Sequence, residues 1–251
     1  MRRLVPFVTA LACLAVAAPA SAAPLHVLVT NDDGVRAEGI DEVVRALRAE
    51  PGVRVTIVAP AGNQSGTGGL TTRGALSAYP AQTKSGIPAT AVRGYPADSV
   101  RYALEGPLAA DRPDLVVSGI NDGANLGPAR NNSGTVGAAR AAARRGLPAL
   151  ATSQGSASPT RFEDGVEATI GWLRANRDHL APGTVQNLNI PTCRAGGHIL
   201  GVLSVPAANG WDLDMLLSLS GAVTCRGGAI APRDDVRAFR QGYAALSPIR
   251  S

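Results

Sequence analysis

The amino-acid sequence predicts an α/β protein: a mostly parallel sheet with helices on both faces, followed by a C-terminal β-hairpin extension over roughly residues 195–230. Three observations carry this. Apolar runs such as Leu25–Thr30 and Asp114–Ser118 show no polar alternation, so both faces of those strands are expected to be covered. Segments with helical spacing lie between the runs, which makes βαβ units. Polar, glycine-rich stretches follow the strands, where an open parallel sheet gathers its ligand.

The elements follow in order. Leu25–Thr30 begins the sheet and ends at the polar turn Asn31-Asp32-Asp33-Gly34, after which Ile40, Val43, Val44 and Leu47 mark one face of a helix. Pro51-Gly52 separates that helix from the strand Val53–Val58, and a loop rich in Gly, Ser, Thr and Asn runs over 59–69. Asp114–Ser118 repeats the plan: a polar loop over 119–134, a helix from about Thr135 to Arg145 and a short strand Ala149–Thr152. A helix over about Phe162–Arg177 and the strand Val185–Ile190 complete this part. Beyond Pro191 the pattern changes, and strands are expected over Ile199–Val205 and Trp211–Val223, then a short helix and a strand Tyr243–Leu246. There is no internal repeat.

Composition narrows the function. Of 251 residues 45% are hydrophobic, which excludes global disorder. The 3 histidines, His26, His179 and His198, and the 3 cysteines do not fall at zinc-ligand spacing. Arg2 and Arg3, the uncharged apolar run Leu4–Ala18 and Ala20-Ser21-Ala22 have the order of a secretory signal over 1–22, cut near Ala23. A lipoprotein anchored at Cys13 is the alternative, with a shorter apolar core. Removing Arg2 and Arg3 leaves 22 basic against 19 acidic residues, and the bases are scattered, so long nucleic acid is not an expected partner. The mature chain from 23 to 251 is expected as one domain, periplasmic or secreted and without a membrane span. In that compartment Cys193 and Cys225 either form one disulfide or remain two thiols.

The loops hold the candidate chemistry. Asp32 and Asp33 leave the first strand. Asn63, Gln64, Ser65 and Thr67 leave the second. Asn121, Asp122 and Asn125, with Asn131, Asn132, Ser133 and Thr135, leave the third. All are hard oxygen donors, which suit a divalent ion of the Mg²⁺, Mn²⁺ or Ca²⁺ type. Asn-Asp-Asp-Gly is also a good turn, and Ser133 is also an ordinary helix N-cap. Ser133-Gly134-Thr135 opens a helix, where amides and the dipole favour a phosphate. No complete G-x-G-x-x-G, Walker A or G-x-S-x-G motif is present.

Taken together, Val27-Leu-Val-Thr-Asn-Asp-Asp-Gly34, Ala59-Pro60 with Asn63-Gln-Ser-Gly66, Gly94-Tyr-Pro-Ala-Asp98, Ser118-Gly-Ile-Asn-Asp-Gly-Ala-Asn125 and Ser133-Gly-Thr-Val136 resemble the ordered signatures of the stationary-phase survival protein family, the SurE nucleotidases. The resemblance runs over roughly 25–190 and resumes at 242–248. It implies a Rossmann-like core, a C-terminal hairpin that joins copies into a homodimer or homotetramer, and metal-dependent release of phosphate from nucleoside 5′- and 3′-monophosphates. It also implies Asp32, Asp33, Ser65 and Asn121 as ligands of one Mg²⁺ or Mn²⁺, with Asp32 and Asp33 catalytic, and Asn125, Ser133, Gly134 and Thr135 at the phosphate. Two departures stand out: Glu38 where the family has Pro, and Asn132 where an aromatic often precedes Ser-Gly-Thr. The rival functions are a non-catalytic periplasmic binder of nucleotide or phosphate and a sugar-nucleotide transferase.

Overall fold

The structure, a computed structural model, describes residues 23–251 except 159, 195, 196 and 220. The signal expected over 1–22 lies outside the described residues. Along the chain run β1 (Leu25–Thr30), α1 (Glu38–Ala49), β2 (Val53–Pro60), β3 (Ser77–Gln82), β4 (Pro88–Arg93), α2 (Pro96–Glu105) and β5 (Leu115–Asp122). A 3-10 turn (Gly127–Asn131), α3 (Gly134–Ala143), β6 (Ala149–Gln154), α4 (Glu163–Asn176), β7 (Val185–Ile190), β8 (Val202–Ser204), α5 (Leu213–Ser218), α6 (Asp235–Arg240) and β9 (Ala244–Ile249) follow. The strands make one nine-stranded sheet in the order β3-β4-β2-β1-β5-β6-β7-β9-β8. The run from β4 to β7 is parallel, and β3 and β9 pair antiparallel with β4 and β7. The chain winds outward in one direction from β1 and in the other from β5, so the crevice of the fold opens between the ends of these two strands.

Each face of the sheet has its own core. Val27, Val29, Leu115, Val117 and Leu150 pack beneath Ile40, Val43, Val44 and Leu47 of α1 and Ile170 and Leu173 of α4. Leu28, Val116 and Ala149 pack beneath Val100 and Leu104 of α2 and the alanine-rich α3. Strands that bury successive residues on opposite faces have no room for polar alternation, which is why these runs are continuously apolar. At one point a helix rests on the sheet backbone itself: a Cβ on Gly39 of α1 would stand 2.0 Å from the Ile120 carbonyl oxygen of β5.

The C-terminal strands expected from the sequence are present as β8 and β9, but Trp211–Val223 is not a strand. Leu213–Ser218 is helical, started by Asp212, whose carboxylate accepts the Met215 N–H at 2.8 Å. Met215 is buried with Ala124, Leu126, Val236 and Phe239 in a third cluster, and a helix is what directs one Met of this apolar run inward. Val223 instead makes a single bridge to Cys193. Cys193 and Cys225 form a disulfide with Cα atoms 5.5 Å apart, closing a loop with a sequence separation of 32. A loop of that size restricts the unfolded chain by about 3–4 kcal/mol. Two further elements lie where the sequence showed no clear pattern, the β3–β4 hairpin and α2. Among the described residues no helix is long and apolar enough to cross a membrane.

Candidate functional site

The turn after β1 is built locally. Asn31 Nδ2 donates to the Gly34 carbonyl at 2.9 Å and Asn31 Oδ1 accepts the Gly34 N–H at 3.2 Å. Gly34 takes φ +105° and passes within contact of Gly62. Asn31 thus serves as the turn former, while the following Asp32 and Asp33 are released to the crevice.

Asp32 is buried against the start of α3. Its Oδ1 accepts the Thr135 hydroxyl at 2.7 Å. Gly134 is required at this approach, because a Cβ there would come within 2.7 Å of the Asp32 Cβ. Burial pushes the Asp32 carboxyl up, opposed by hydrogen bonds from the Thr135 hydroxyl and from the Thr135 and Gly134 amides. The Asp33 Oδ2 accepts the Asp122 N–H at 3.2 Å, which ties it to the end of β5 beside Asn121. Burial first, and the neighbouring Asp32 charge second, push the Asp33 carboxyl up to about 7.

The other expected residues are distributed around this pair. The Gln64 N–H donates to the Asp32 carbonyl at 2.7 Å, which holds the 61–66 loop beside β1 and leaves Ser65 exposed at its tip. Asn121 donates through Nδ2 to the Gly123 carbonyl at 2.6 Å, leaving its Oδ1 as the acceptor. Ser133 caps α3, its hydroxyl accepting the Val136 N–H at 3.1 Å. The Val136 amide is thus taken by the helix's own cap, while the Gly134 and Thr135 amides lie near Asp32 and favour its charged carboxylate. For an anion this end offers the Ser133 hydroxyl proton, the Gly134 and Thr135 amides and the helix dipole. Asn125 is almost wholly engaged: its Nδ2 donates to Ser153 Oγ at 2.9 Å and its N–H donates to Asn189 Oδ1 at 2.6 Å. Its carbonyl accepts Asn187 Nδ2 at 2.9 Å and Asn189 Nδ2 at 3.3 Å.

Thr30, Ser118 and Asn187 lie in one row across β1, β5 and β7, on the α3 face. Their buried oxygens Thr30 Oγ1, Ser118 Oγ and Asn187 Oδ1 have no partner among the described residues. Sequence reasoning missed Asn187 and Asn189, although their alternation in Gln186-Asn187-Leu188-Asn189 was a period-2 signal. It also gave no role to Asp98, which is buried and accepts the Thr72 N–H at 2.9 Å, the Thr72 hydroxyl at 2.6 Å and the Tyr95 N–H at 3.1 Å. Asp98 thereby fastens the 67–72 loop to α2. The histidines stand apart from this site: His26 bonds Thr56 and His198 bonds Asp164.

These residues fit a hard divalent ion. Two carboxylates lie side by side, and among the described residues no Lys, Arg or His forms an ion pair with either. The described residues contain no group of three His, Cys, Asp or Glu suited to a metal, so the set must be completed by neutral oxygens such as those of Ser65 and Asn121. A test follows that needs no turnover. In chelator at pH 8, Asp33→Asn is expected to unfold about 2–4 °C above the parent, roughly 1 kcal/mol of relieved repulsion, since the amide still accepts the Asp122 N–H. Added Mn²⁺ should then raise the melting temperature of the parent but not of the variant. A variant that melts at or below the parent in chelator would contradict the uncompensated pair.

The family model described as survival protein SurE matches residues 27–205. The 5′-nucleotidase SurE of Prochlorococcus marinus (strain MIT 9313) is 41% identical over 174 residues, 68% of this chain and 64% of that protein. That of Alkalilimnicola ehrlichii is 34% identical over 246 residues, 90% of this chain and 89% of that protein. Among solved structures, the SurE protein from Aquifex aeolicus superposes with a TM-score of 0.71 at 27% identity, over 90% of this chain and 93% of that one. Against relatives such as the Prochlorococcus protein, the match spans a little under two thirds of their length.

Proposed function

The chain belongs to the survival protein SurE family, and from that premise we propose that it is a metal-dependent phosphomonoesterase acting on nucleoside 5′-monophosphates, with 3′-monophosphates as further substrates. The observation that carries the reading is the pair of buried Asp32 and half-buried Asp33, which has no cationic partner among the described residues, at the crevice between β1 and β5. Asp32, Asp33, Ser65 and Asn121 are the residues that would hold one Mg²⁺ or Mn²⁺. Such an ion, when bound, polarises a phosphate oxygen and lowers the pKa of bound water.

The chain's own contribution is placement. Thr135 fixes the Asp32 carboxylate through its hydroxyl, and the Asp122 amide fixes Asp33. The Ser133 hydroxyl is left to donate to a phosphate oxygen, and the amino-terminal end of α3 opposes the negative charge that grows on the equatorial oxygens. Asn187 and Asn189 hold Asn125 beside them.

A phosphate-release screen over nucleoside 5′- and 3′-monophosphates and simple phosphomonoesters, with and without added Mg²⁺ or Mn²⁺, tests this. Release that stops in EDTA and returns with the ion is expected. A blank panel accompanied by nucleotide-induced thermal stabilisation would instead establish a non-catalytic binder.

The same reading includes a second copy of the chain as partner. The extension exposes Leu200, Val202, Trp211, Leu213, Leu216 and Ile230, a concentration of large apolar side chains that suits a buried interface. It also places the mature protein outside the cytoplasm, in keeping with the Cys193–Cys225 disulfide. Periplasmic material should begin at Ala23 and scatter light as a dimer or tetramer. A monomer that retains its full leader would defeat both statements.

A further inference from the structure

We infer that Asp235, on the C-terminal extension, is a positioning residue for the substrate phosphate: it fixes the loop that carries Asn125 at one end and Ser133 at the other. This rests on the reading of the crevice as a phosphate site. Asp235 is fully buried and lies outside every motif that marks the crevice. Its Oδ2 accepts the Gly127 N–H at 2.8 Å and its Oδ1 accepts the Ala208 N–H at 2.8 Å, while its own N–H donates to the Pro206 carbonyl at 3.0 Å.

A carboxylate is the side chain for this task. Each oxygen takes one main-chain amide from a different segment, and neither amide has to be shared. Arg130 closes the strap from the other side, donating through one guanidinium nitrogen to the carbonyls of Gly127 and Ala208, the latter at 2.9 Å. Apolar packing acts on the same loop, because Ala124 and Leu126 lie in one cluster with Met215, Val236 and Phe239. At Gly127 the backbone takes φ +43° and leaves a Cβ only 3.3 Å from Met215 Sδ.

The divalent-ion ligands are held otherwise. Asp32 is fixed from α3 and Asp33 from the end of β5, with no bond to the extension. Loosening Asp235 therefore separates two properties that global destabilisation would not. In Asp235→Asn one oxygen becomes a donor facing an N–H, so one of the two amide bonds is lost.

The test is a steady-state comparison of Asp235→Asn with the parent at saturating Mn²⁺, together with hydrogen–deuterium exchange over residues 124–132. The expected result is a KM for nucleoside monophosphate raised about tenfold, as a displaced positioning group costs, with kcat within about threefold, unchanged Mn²⁺ affinity and faster exchange confined to that loop. Asp235→Ala, which removes both acceptors, should raise KM further. An active parent with unchanged KM or unchanged loop exchange in Asp235→Asn overturns the role of Asp235 alone. Loss of apparent kcat and of Mn²⁺-binding stoichiometry in proportion to folded protein, with KM unchanged, marks a purely structural residue and also overturns it. A parent that releases no phosphate overturns the phosphate-site reading, and this inference with it.

Discussion

Asp32→Asn is expected to lower kcat/KM for nucleoside 5′-monophosphates by about a thousandfold or more, with the fold intact. Asparagine has the same size and keeps one oxygen to accept the Thr135 hydroxyl, so the 2.7 Å contact and the packing against Gly134 survive. What disappears is the negative charge, and with it half of the carboxylate pair. The amide hydrogens would also stand near the Gly134 and Thr135 amides, which favour the charged carboxylate of the parent. Stability should change little, because removing a buried charge beside Asp33 offsets the lost dipole interaction. Circular dichroism and thermal melting, measured on the preparation used for kinetics, separate the two effects. Activity within tenfold of the parent would remove Asp32 from the catalytic machinery, whereas a melted variant would assign it to the fold.

Gly137→Ala should destabilise the fold although it places alanine in a helix. Gly137 lies in the first turns of α3, directly over the loop that follows Ser65, and a Cβ would stand 2.0 Å from the Gly68 carbonyl oxygen and 2.6 Å from its carbon. Two tendencies compete. Alanine is favoured over glycine within a helix by about 1 kcal/mol. Against it stands a contact that no rotamer can relieve, since both partners are main chain, and such overpacking costs about 1–3 kcal/mol or more. The clash wins, and relief requires that the 66–69 loop lift from the helix. Because the Gly68 N–H donates to the Asn132 carbonyl at 3.0 Å, lifting also disturbs the approach to Ser133. Chemical denaturation should show a lower midpoint, and the folded fraction should turn over more slowly. A variant at least as stable as the parent would show that the loop yields at no cost.

The two halves of the fold were unequally legible. β1 and β7 could be bounded to the residue because a polar turn ending at Gly34 closes the first and Pro191 the second, and the face of α1 was marked by Ile40, Val43, Val44 and Leu47. β3 was not readable: Ser77–Gln82 carries Pro80 and shows no apolar run, and it is tolerated only because β3 pairs on one side, as the edge of the sheet. The helix Leu213–Ser218 was mistaken for a strand because a short apolar stretch fits either period. Asp212, a helix-starting residue three positions before Met215, was the signal to use.

In the site, residue types and loops were visible but their pairings were not. Nothing near Asp32 in sequence announces Thr135, which stands 103 positions away. Nor could the approach of Asp32 to the start of α3 be recognised, because that carboxylate arrives from the end of β1. The upward push on the Asp33 carboxyl comes from desolvation first and the Asp32 charge second, and the first of these exists only in the folded chain.

At Gly39 over Ile120 and at Gly137 over Gly68, main chain bears directly on main chain. These are mechanical stops. Side chains elsewhere in the two cores can exchange volume with one another, yet the spacing beside the crevice is set where main-chain atoms meet at van der Waals contact. Exchanges of side chains within the two cores therefore leave the height of the carboxylate pair above the strands to these main-chain contacts.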